Sequence, residues 1–481
     1  MTDTTFSLAQ ILPAMPEIYL TAAVCALLLF DVFFGLKAPG RTASFTLFLL
    51  LGGALVTLVT ADVQVAHLLF SGMYIADNLA TLLKLAAFLF VAVALYYSSD
   101  YLNRRRIHKG EYYVLSLTAL LGILVLASAG NLITVYIGVE LLSLSLYALV
   151  AFDRDNGVAA EAAMKYFVLG AIASGTLLYG MSLVYGITGS LSLDIVASAL
   201  SGAPSLGLLL GLTFIVVAIG FKFGAVPFHM WVPDVYQGAP TPVTMLVATA
   251  PKLASFALAF RLLAEGMAGQ VAAWSQMLAV LAVVSIVLGN IVAIAQTNLR
   301  RMLAYSAISN VGFILLGFVT GSADGYQAAL YFTLVYVLTT LGSFGVILLA
   351  ARDGFEADEI EQYKGLSKRD PLLALVMAAL MFSTAGVPPF VGFWAKLRVL
   401  ESLIHTGHVW LAGIAVLMSV IGAFYYLRLV WMMYFEAPGE LPGKLTRAPI
   451  RLMVVVNAFA ALALGLMPDA LLDVCRSVIP L

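Results

Sequence analysis

Long, continuous apolar runs joined by short polar connections constrain this chain more than any other feature of its sequence. Runs such as residues 41–61 and 271–295 match the length of roughly 20 residues that an α-helix needs to cross a bilayer. The runs do not alternate apolar and polar residues, which argues against a transmembrane β-barrel. Charged residues make up only 11% of the 481 residues, against about 25% in an average protein. An all-α polytopic membrane protein is predicted, and a soluble enzyme, a nucleic-acid binder and a disordered tail are excluded.

Hydropathy predicts about fourteen membrane-spanning helices, which we number as spans 1 to 14 in chain order. Nothing in the sequence resembles a separate soluble domain. The predicted bounds are 15–35, 41–61, 76–100, 112–129, 131–151, 160–187, 206–229, 241–264, 271–295, 301–321, 326–351, 371–405, 409–435 and 449–474.

Basic residues in the loops support this count of spans. If the N-terminus lies outside, the inner loops hold sixteen Lys and Arg residues, whereas the outer loops and both termini hold one, Arg476. A missed or invented span would place basic residues in both the inner and the outer loops, so their separation supports fourteen spans. With the basic loops inside, both termini are predicted to face the periplasm or its equivalent. The sixteen are Lys37, Arg41, Arg104, Arg105, Arg106, Lys109, Arg154, Arg300, Arg301, Arg352, Lys364, Lys368, Arg369, Lys444, Arg447 and Arg451.

Other global features are less informative. The net charge of −1 suggests no polyanionic partner. Cys25 and Cys475 have no neighbours at metal or redox spacing, and we expect both to be small buried apolar residues. No secretory signal is predicted, because Met1 to Ala9 contain no Lys or Arg and the first apolar run is long enough to remain as a span.

A few charged residues fall inside the spans. A charge at the bilayer centre costs about 2.5–3.5 kcal/mol on insertion scales, so such residues are usually functional. Glu140, Lys222 and Lys252 lie near mid-span, and a functional role is predicted for each. Lys165 lies only about five residues into its span, so it can belong to a relay or extend to the membrane surface. Structural roles stay open for Lys84, Arg261, Arg398 and Arg428.

Glu140 and Lys222, on different spans, form a natural pair for moving a proton. Burial favours the neutral form of a lysine, whereas a nearby carboxylate favours the charged form. Lys222 and His229 are seven residues apart, so they share a face if the helix is continuous. The sequence thus predicts a water-bridged chain of Lys and His across the bundle, although His229 can also be a polar helix cap.

Proline-rich segments interrupt spans 7 and 12. Pro227 is followed closely by three further prolines, and Pro388 and Pro389 lie between two glycines. Proline removes a backbone donor, and a bilayer tolerates the break only where protein or water satisfies the freed groups. The breaks lie five spans apart, so spans 4–8 and 9–13 are predicted to be two five-helix repeats, the second inverted relative to the first. The predicted domains are residues 1–110, 111–266, 267–437 and 438–481.

Three motifs carry a resemblance to a known family. They are VPFHMWVPDVYQGAPTPVT at 226–244, NLRRMLAYSAISNVGF at 298–313 and AGVPPFVGFWAK at 385–396. The chain closely resembles the N-type membrane subunits of proton-pumping NADH:quinone oxidoreductase, respiratory complex I, which are similar to cation/proton antiporter subunits. The resemblance covers nearly the whole chain. It implies a proton relay of six residues: Glu140 paired with Lys222, Lys252 as the central lysine, Lys396 as the terminal lysine, and Lys165 and His229 at further positions.

The resemblance also implies an activity. The family pumps protons in the membrane while NADH is oxidised and quinone is reduced elsewhere in the complex. This chain has no glycine-rich nucleotide fingerprint after a strand and no cysteine cluster. We therefore expect it to bind no cofactor itself, and we expect NADH, FMN, iron–sulfur clusters and quinone in partner subunits. The implied partners are an M-type subunit and small K-, J- and A-type subunits in a bacterial inner membrane. A stand-alone cation/proton antiporter and a structural membrane anchor remain alternative hypotheses.

Overall fold

The protein is a helical bundle in a computed structural model that describes residues 11–35, 39–61, 67–351, 356–438 and 448–479. Within these ranges, 13 helices are long and apolar enough to cross a membrane, and Pro371–Ala385 is a shorter apolar helix. The 13 spans and this first half of span 12 confirm the prediction of an all-α protein with about fourteen spans. Lys37, Arg352, Lys444 and Arg447, which the orientation prediction uses, lie outside the described residues.

The observed helices follow the predicted spans in order. Spans 1 to 6 are Met15–Phe30, Pro39–Thr60, Asn78–Arg104, Gly110–Ala127, Leu132–Val150 and Gly157–Thr188. Spans 7 and 8 consist of two helices each, which are Leu206–Phe223 with Trp231–Gly238 and Thr241–Ala248 with Pro251–Ala259. Spans 9 to 11 are Val271–Ile294, Leu299–Val319 and Ala323–Ala350. Span 12 combines Pro371–Ala385 with Val391–His405, and spans 13 and 14 are Val409–Phe435 and Ala448–Leu466.

Shorter elements connect or extend the spans. Strands β1 (His67–Leu69) and β2 (Tyr74–Ala76) form an antiparallel hairpin before span 3, with Leu68 opposite Ile75. Short helices cover Leu193–Ala199, Leu366–Arg369 and Pro468–Val478. Turns of π- or 3₁₀-helix cover Leu12–Ala14, Asp31–Gly35, Phe260–Glu265, Ala268–Gln270 and Ile360–Tyr363.

Two predictions about these elements are wrong. Predicted span 14 runs to residue 474, but the helix ends at Leu466 and a separate helix begins at Pro468. Proline starts a helix readily but cannot continue one. Cys25 is exposed, whereas Cys475 is buried as predicted. The difference arises because span 1 lies at the edge of the bundle, where only 22% of its apolar window is buried.

The centre of the bundle is formed by spans 8, 10 and 11. The buried shares of their apolar windows are 89%, 94% and 89%, as expected for helices that are apolar on every face. Spans 1, 2, 6, 13 and 14 bury 39% or less of theirs and leave apolar faces at the surface of the bundle. A charged residue on span 8 is therefore surrounded by protein rather than lipid.

Candidate functional site

Span 7 is interrupted just after Lys222. Its first helix ends at Phe223, and Gly224 follows in the left-handed conformation with φ +79°, which glycine adopts without steric cost. The second helix begins at Trp231. The last carbonyls of a helix have no partner within it, so this break leaves backbone acceptors inside the bundle that another group must satisfy. The predicted break in span 7 is confirmed.

Lys252 on span 8 satisfies one of these acceptors. Its Nζ lies 2.7 Å from the carbonyl oxygen of Phe223, and the residue is only 1% exposed. Span 8 is itself broken, because one helix ends at Ala248 and the next begins at Pro251. The prediction of one uninterrupted helix over residues 241–264 is wrong, although Pro251 was a signal for the break. Lys252 thus lies in the first turn of a half-helix.

Lys396 makes a comparable contact with a backbone carbonyl, but within its own span 12. The first helix of this span ends at Ala385, Gly386 follows with φ +89°, and the second helix begins at Val391. The Nζ of Lys396 lies 2.9 Å from the carbonyl oxygen of Ala385. The same Nζ lies 5.3 Å from the centroid of the Phe313 ring. The predicted break in span 12 is confirmed, and in both broken spans a lysine donates to the last carbonyl before the glycine.

Lys222 contacts span 5, as the predicted pairing with Glu140 requires, but its direct partner is Ser143. The distance between Lys222 Nζ and Ser143 Oγ is 2.6 Å, and Ser143 in turn donates to the carbonyl of Val139. Glu140 and Lys222 do not form an ion pair within 4.0 Å. Ser143 was missed by the sequence reasoning, although it lies three residues from Glu140, on the same face of the helix.

Glu140 is available for further interaction. Its Oε1 is buried and has no hydrogen-bond partner. Leaving such an atom unpaired costs free energy, so its position beside Lys222 requires a functional or structural reason. A carboxylate that does not hold the lysine tightly can change its influence with a small movement, because electrostatic interaction inside a protein is strong and depends on distance.

Lys165 lies apart from the buried lysines. Its Nζ is 2.8 Å from both Asp234 and Glu161, and its side chain is 45% exposed. Asp234 also pairs with Arg301 at 3.1 Å. Asp234 therefore accepts a hydrogen bond from each of these two basic side chains. Lys165 therefore belongs to a half-exposed ion-pair network where spans 6 and 10 begin.

His229 lies within the break of span 7. It is buried, and its Nδ1 has no hydrogen-bond partner. Because the first helix of the span ends at Phe223, Lys222 and His229 are not two turns apart on one continuous helix. They were predicted to share a face only if the helix is continuous, and the helix is broken between them.

The other basic residues inside the spans have specific partners. Arg261 forms ion pairs with two carboxylates and also donates to a backbone carbonyl, whereas Arg428 donates to two carbonyls at the end of span 9. Among the residues that the structure describes, no group of three or more His, Cys, Asp or Glu could hold a metal ion. The partners are Asp77, Glu265 and Ala127 for Arg261, Ile294 and Gln296 for Arg428, Glu17 and Tyr74 for Lys84, and Glu401 for Arg398.

Comparisons with known proteins agree with one another. Residues 129–422 match the family model described as NADH:quinone oxidoreductase/Mrp antiporter, transmembrane. The chain is 51% identical to NADH-quinone oxidoreductase subunit N of Thiobacillus denitrificans and 50% identical to that of Herminiimonas arsenicoxydans, with 98% of both chains covered in each case. It also resembles a chain in the structure of respiratory complex I from Thermus thermophilus with bound aureothin. The TM-score is 0.83 and the identity 34%, over 96% of this chain and 100% of that chain.

Proposed function

The chain belongs to the family of NADH-quinone oxidoreductase subunit N, and we propose that it carries protons across the membrane through a relay of buried titratable residues. It is a multi-pass membrane-arm subunit of proton-pumping NADH:quinone oxidoreductase, respiratory complex I. The redox cofactors of this complex lie in other subunits, and we propose that this chain binds none of them. The proposed relay consists of Glu140, Lys222, Lys252 and Lys396, with Lys165 and His229 as further members.

The observation that carries the proposal is the pair of lysine–carbonyl contacts at the helix breaks. Lys252 and Lys396 each donate to the last carbonyl of a half-helix. The C-terminus of a helix carries a partial negative charge of about −0.5. Such a partial charge favours the protonated lysine, but less strongly than a carboxylate does. Each lysine is therefore held in place without being fixed in the charged state.

Arg261 shows the contrasting arrangement. It is fully buried and paired with two carboxylates, and a guanidinium remains protonated in proteins. This is the pattern of a structural ion pair. The arginine has two full counter-charges, whereas the hydrogen bonds of the two lysines go to backbone carbonyls. This contrast supports a transfer role for the lysines.

The energy required is within the range that this site can supply. Moving one charge against about 100 mV costs about 2.3 kcal/mol, equivalent to a change in proton affinity of about fiftyfold. Burial and a movable counter-charge change the proton affinity of a lysine by more than this. Glu140 supplies the counter-charge for Lys222, and a small displacement of span 5 would load or release the proton.

The wider arrangement is proposed on the same basis. Relatives named as subunits of a complex favour a subunit over the stand-alone antiporter. We place the chain in the bacterial inner membrane with periplasmic termini, next to an M-type subunit and small K-, J- and A-type subunits. The shared form of the breaks in spans 7 and 12 supports two inverted repeats, spans 4–8 (residues 111–266) and spans 9–13 (residues 267–437). We propose that these repeats are flanked by the domains of residues 1–110 and 438–481.

The relay can be tested at Lys252 in the complete complex. In closed membrane vesicles, Lys252→Met should lower NADH-driven proton translocation at least tenfold. A positioned proton-transfer group typically accelerates a reaction about a hundredfold or more. The matched control is Lys364→Met, because Lys364 pairs with Glu361 in a loop outside the spans. Both variants should assemble, as judged by native electrophoresis. Normal translocation by an assembled Lys252→Met complex would rule out the relay role of Lys252.

A further inference from the structure

A second buried polar cluster lies between spans 10 and 13 and contains none of the relay residues. Tyr426 Oη and Ser306 Oγ lie 2.5 Å apart, and either can be the donor. Asn310 donates from Nδ2 to the carbonyl of Ser306 at 2.9 Å, and its Nδ2 also lies 3.3 Å from Ser306 Oγ and 3.4 Å from Tyr426 Oη. The three residues are 3%, 3% and 4% exposed. The cluster is thus removed from lipid and from bulk water.

The cluster leads along span 10 towards Lys396. Span 10 begins at Leu299, so Ser306 and Asn310 lie roughly 10 Å and 16 Å along it at 1.5 Å per residue. Phe313 is one turn further, and its ring lies 5.3 Å from the Nζ of Lys396. The start of span 10 carries Arg300 and Arg301, which the loop-charge pattern assigns to the inner side. The polar groups therefore lie between the inner end of the span and the turn that contacts Lys396.

We propose that Tyr426 and Ser306, positioned by Asn310, deliver protons to Lys396 from the inner side of the membrane, separately from Lys252. The inference rests on the proposed function, because it requires Lys396 to carry a proton. A hydroxyl both donates and accepts, so it can pass a proton on and remain neutral. One hydroxyl of the pair accepts a proton from the inner side as its own proton moves to the other hydroxyl. The second hydroxyl passes its proton through intervening water to the neutral amine of Lys396, so one proton has moved and both hydroxyls are restored.

Tyr425 packs on Tyr426, with ring centroids 4.2 Å apart, and its hydrogen bond to Asn290 shows what the Tyr426–Ser306 pair adds. Tyr425 donates to Asn290 Oδ1 at 3.2 Å, and both are buried. An amide oxygen only accepts, so this hydrogen bond has one fixed direction and cannot pass on a proton. The Tyr426–Ser306 pair can reverse its direction, which repeated proton transfer requires.

The test is Tyr426→Phe in the complete complex, with Tyr112→Phe as the matched control. Tyr112 is also fully buried, and it donates to a serine hydroxyl, Ser98 Oγ, at 2.9 Å between spans 4 and 3. NADH-driven proton translocation in closed vesicles should fall at least threefold in Tyr426→Phe and remain at the wild-type level in Tyr112→Phe. An assembled Tyr426→Phe complex with wild-type translocation would overturn the inference, as would an equal loss in both variants.

A second set of variants provides a test if Tyr426→Phe does not assemble. It also distinguishes the proposed relay from the proposed delivery of protons through Tyr426 and Ser306. Ser306→Thr keeps the hydroxyl and should retain translocation that Ser306→Ala loses, and equal behaviour of the two would contradict the inference. Tyr426→Phe should add no further loss in a Lys396→Ala background, because both changes interrupt one route. If Lys396→Ala leaves translocation normal, the proposed function fails at Lys396. If Lys396→Ala abolishes it and Tyr426→Phe does not alter it, only the present inference fails.

Discussion

Replacing Gly386 by alanine should separate Lys396 from the carbonyl of Ala385 without removing any charged group. Gly386 has φ +89°, and a β-carbon added there would lie 2.9 Å from Cδ of Lys396. The neighbouring atom is part of a flexible side chain, so the lysine can move away, while the positive φ strains the backbone at this position. The expected result is a displaced lysine in an otherwise intact span 12.

Two contributions set the size of this effect. A non-glycine residue in the left-handed region costs about 1–2 kcal/mol. The lost hydrogen bond from Lys396 Nζ, 2.9 Å from the carbonyl oxygen, involves a charged donor and costs about 1.5–3 kcal/mol. Once the clash has displaced the lysine, the charged lysine loses this stabilisation, which corresponds to a factor of about ten to a hundred at about 1.4 kcal/mol for each factor of ten.

The assay is NADH-driven proton translocation in closed vesicles that contain the complete complex, normalised to the amount of assembled complex. We expect Gly386→Ala to reduce translocation at least tenfold. The control is Gly413→Ala on span 13, where an added β-carbon meets nothing within 4 Å and alanine favours the helix by roughly 0.5–1 kcal/mol. Wild-type translocation by an assembled Gly386→Ala complex would refute the reasoning that the lysine–carbonyl contact is needed for proton transfer.

Two further predictions concern the partners of Lys222 and Arg261. Ser143→Ala removes the acceptor of Lys222, 2.6 Å away. It should lower proton translocation about tenfold or more, since a charge-assisted hydrogen bond contributes about 1.5–3 kcal/mol. Ser143→Thr keeps the hydroxyl and should retain translocation, so equal rates in the two variants would contradict this role. Arg261→Met leaves Asp77 and Glu265 without their counter-charge, which costs about 3–5 kcal/mol for a buried pair, so the amount of assembled complex on native gels should fall sharply. Arg261→Lys should rescue assembly poorly, because lysine lacks the planar fork that contacts both oxygens of Asp77. Full assembly of Arg261→Met would show that the ion pairs are dispensable, and full assembly of Arg261→Lys would show that the fork is.

The sequence alone determined the fold class and the approximate number of spans. Transfer of an apolar run into the bilayer depends on the residues of that run alone, so local composition suffices to place a span. The breaks in spans 7 and 12 were visible for the same reason, because proline and glycine act on the backbone next to them. The end of span 14 and the break before Lys252 were missed, although Pro468 and Pro251 were present.

Only the tertiary structure decided which atoms the charged residues contact. Lys252 reaches a carbonyl 29 residues away, and Lys222 reaches a serine 79 residues away. Cys25 and Cys475 both lie in or beside apolar segments of the sequence, yet one is exposed and the other buried. A hydrogen-bond partner or a buried face depends on how whole helices pack against each other. The periodicity of a single helix identifies the face that a residue occupies but not the helix that covers it.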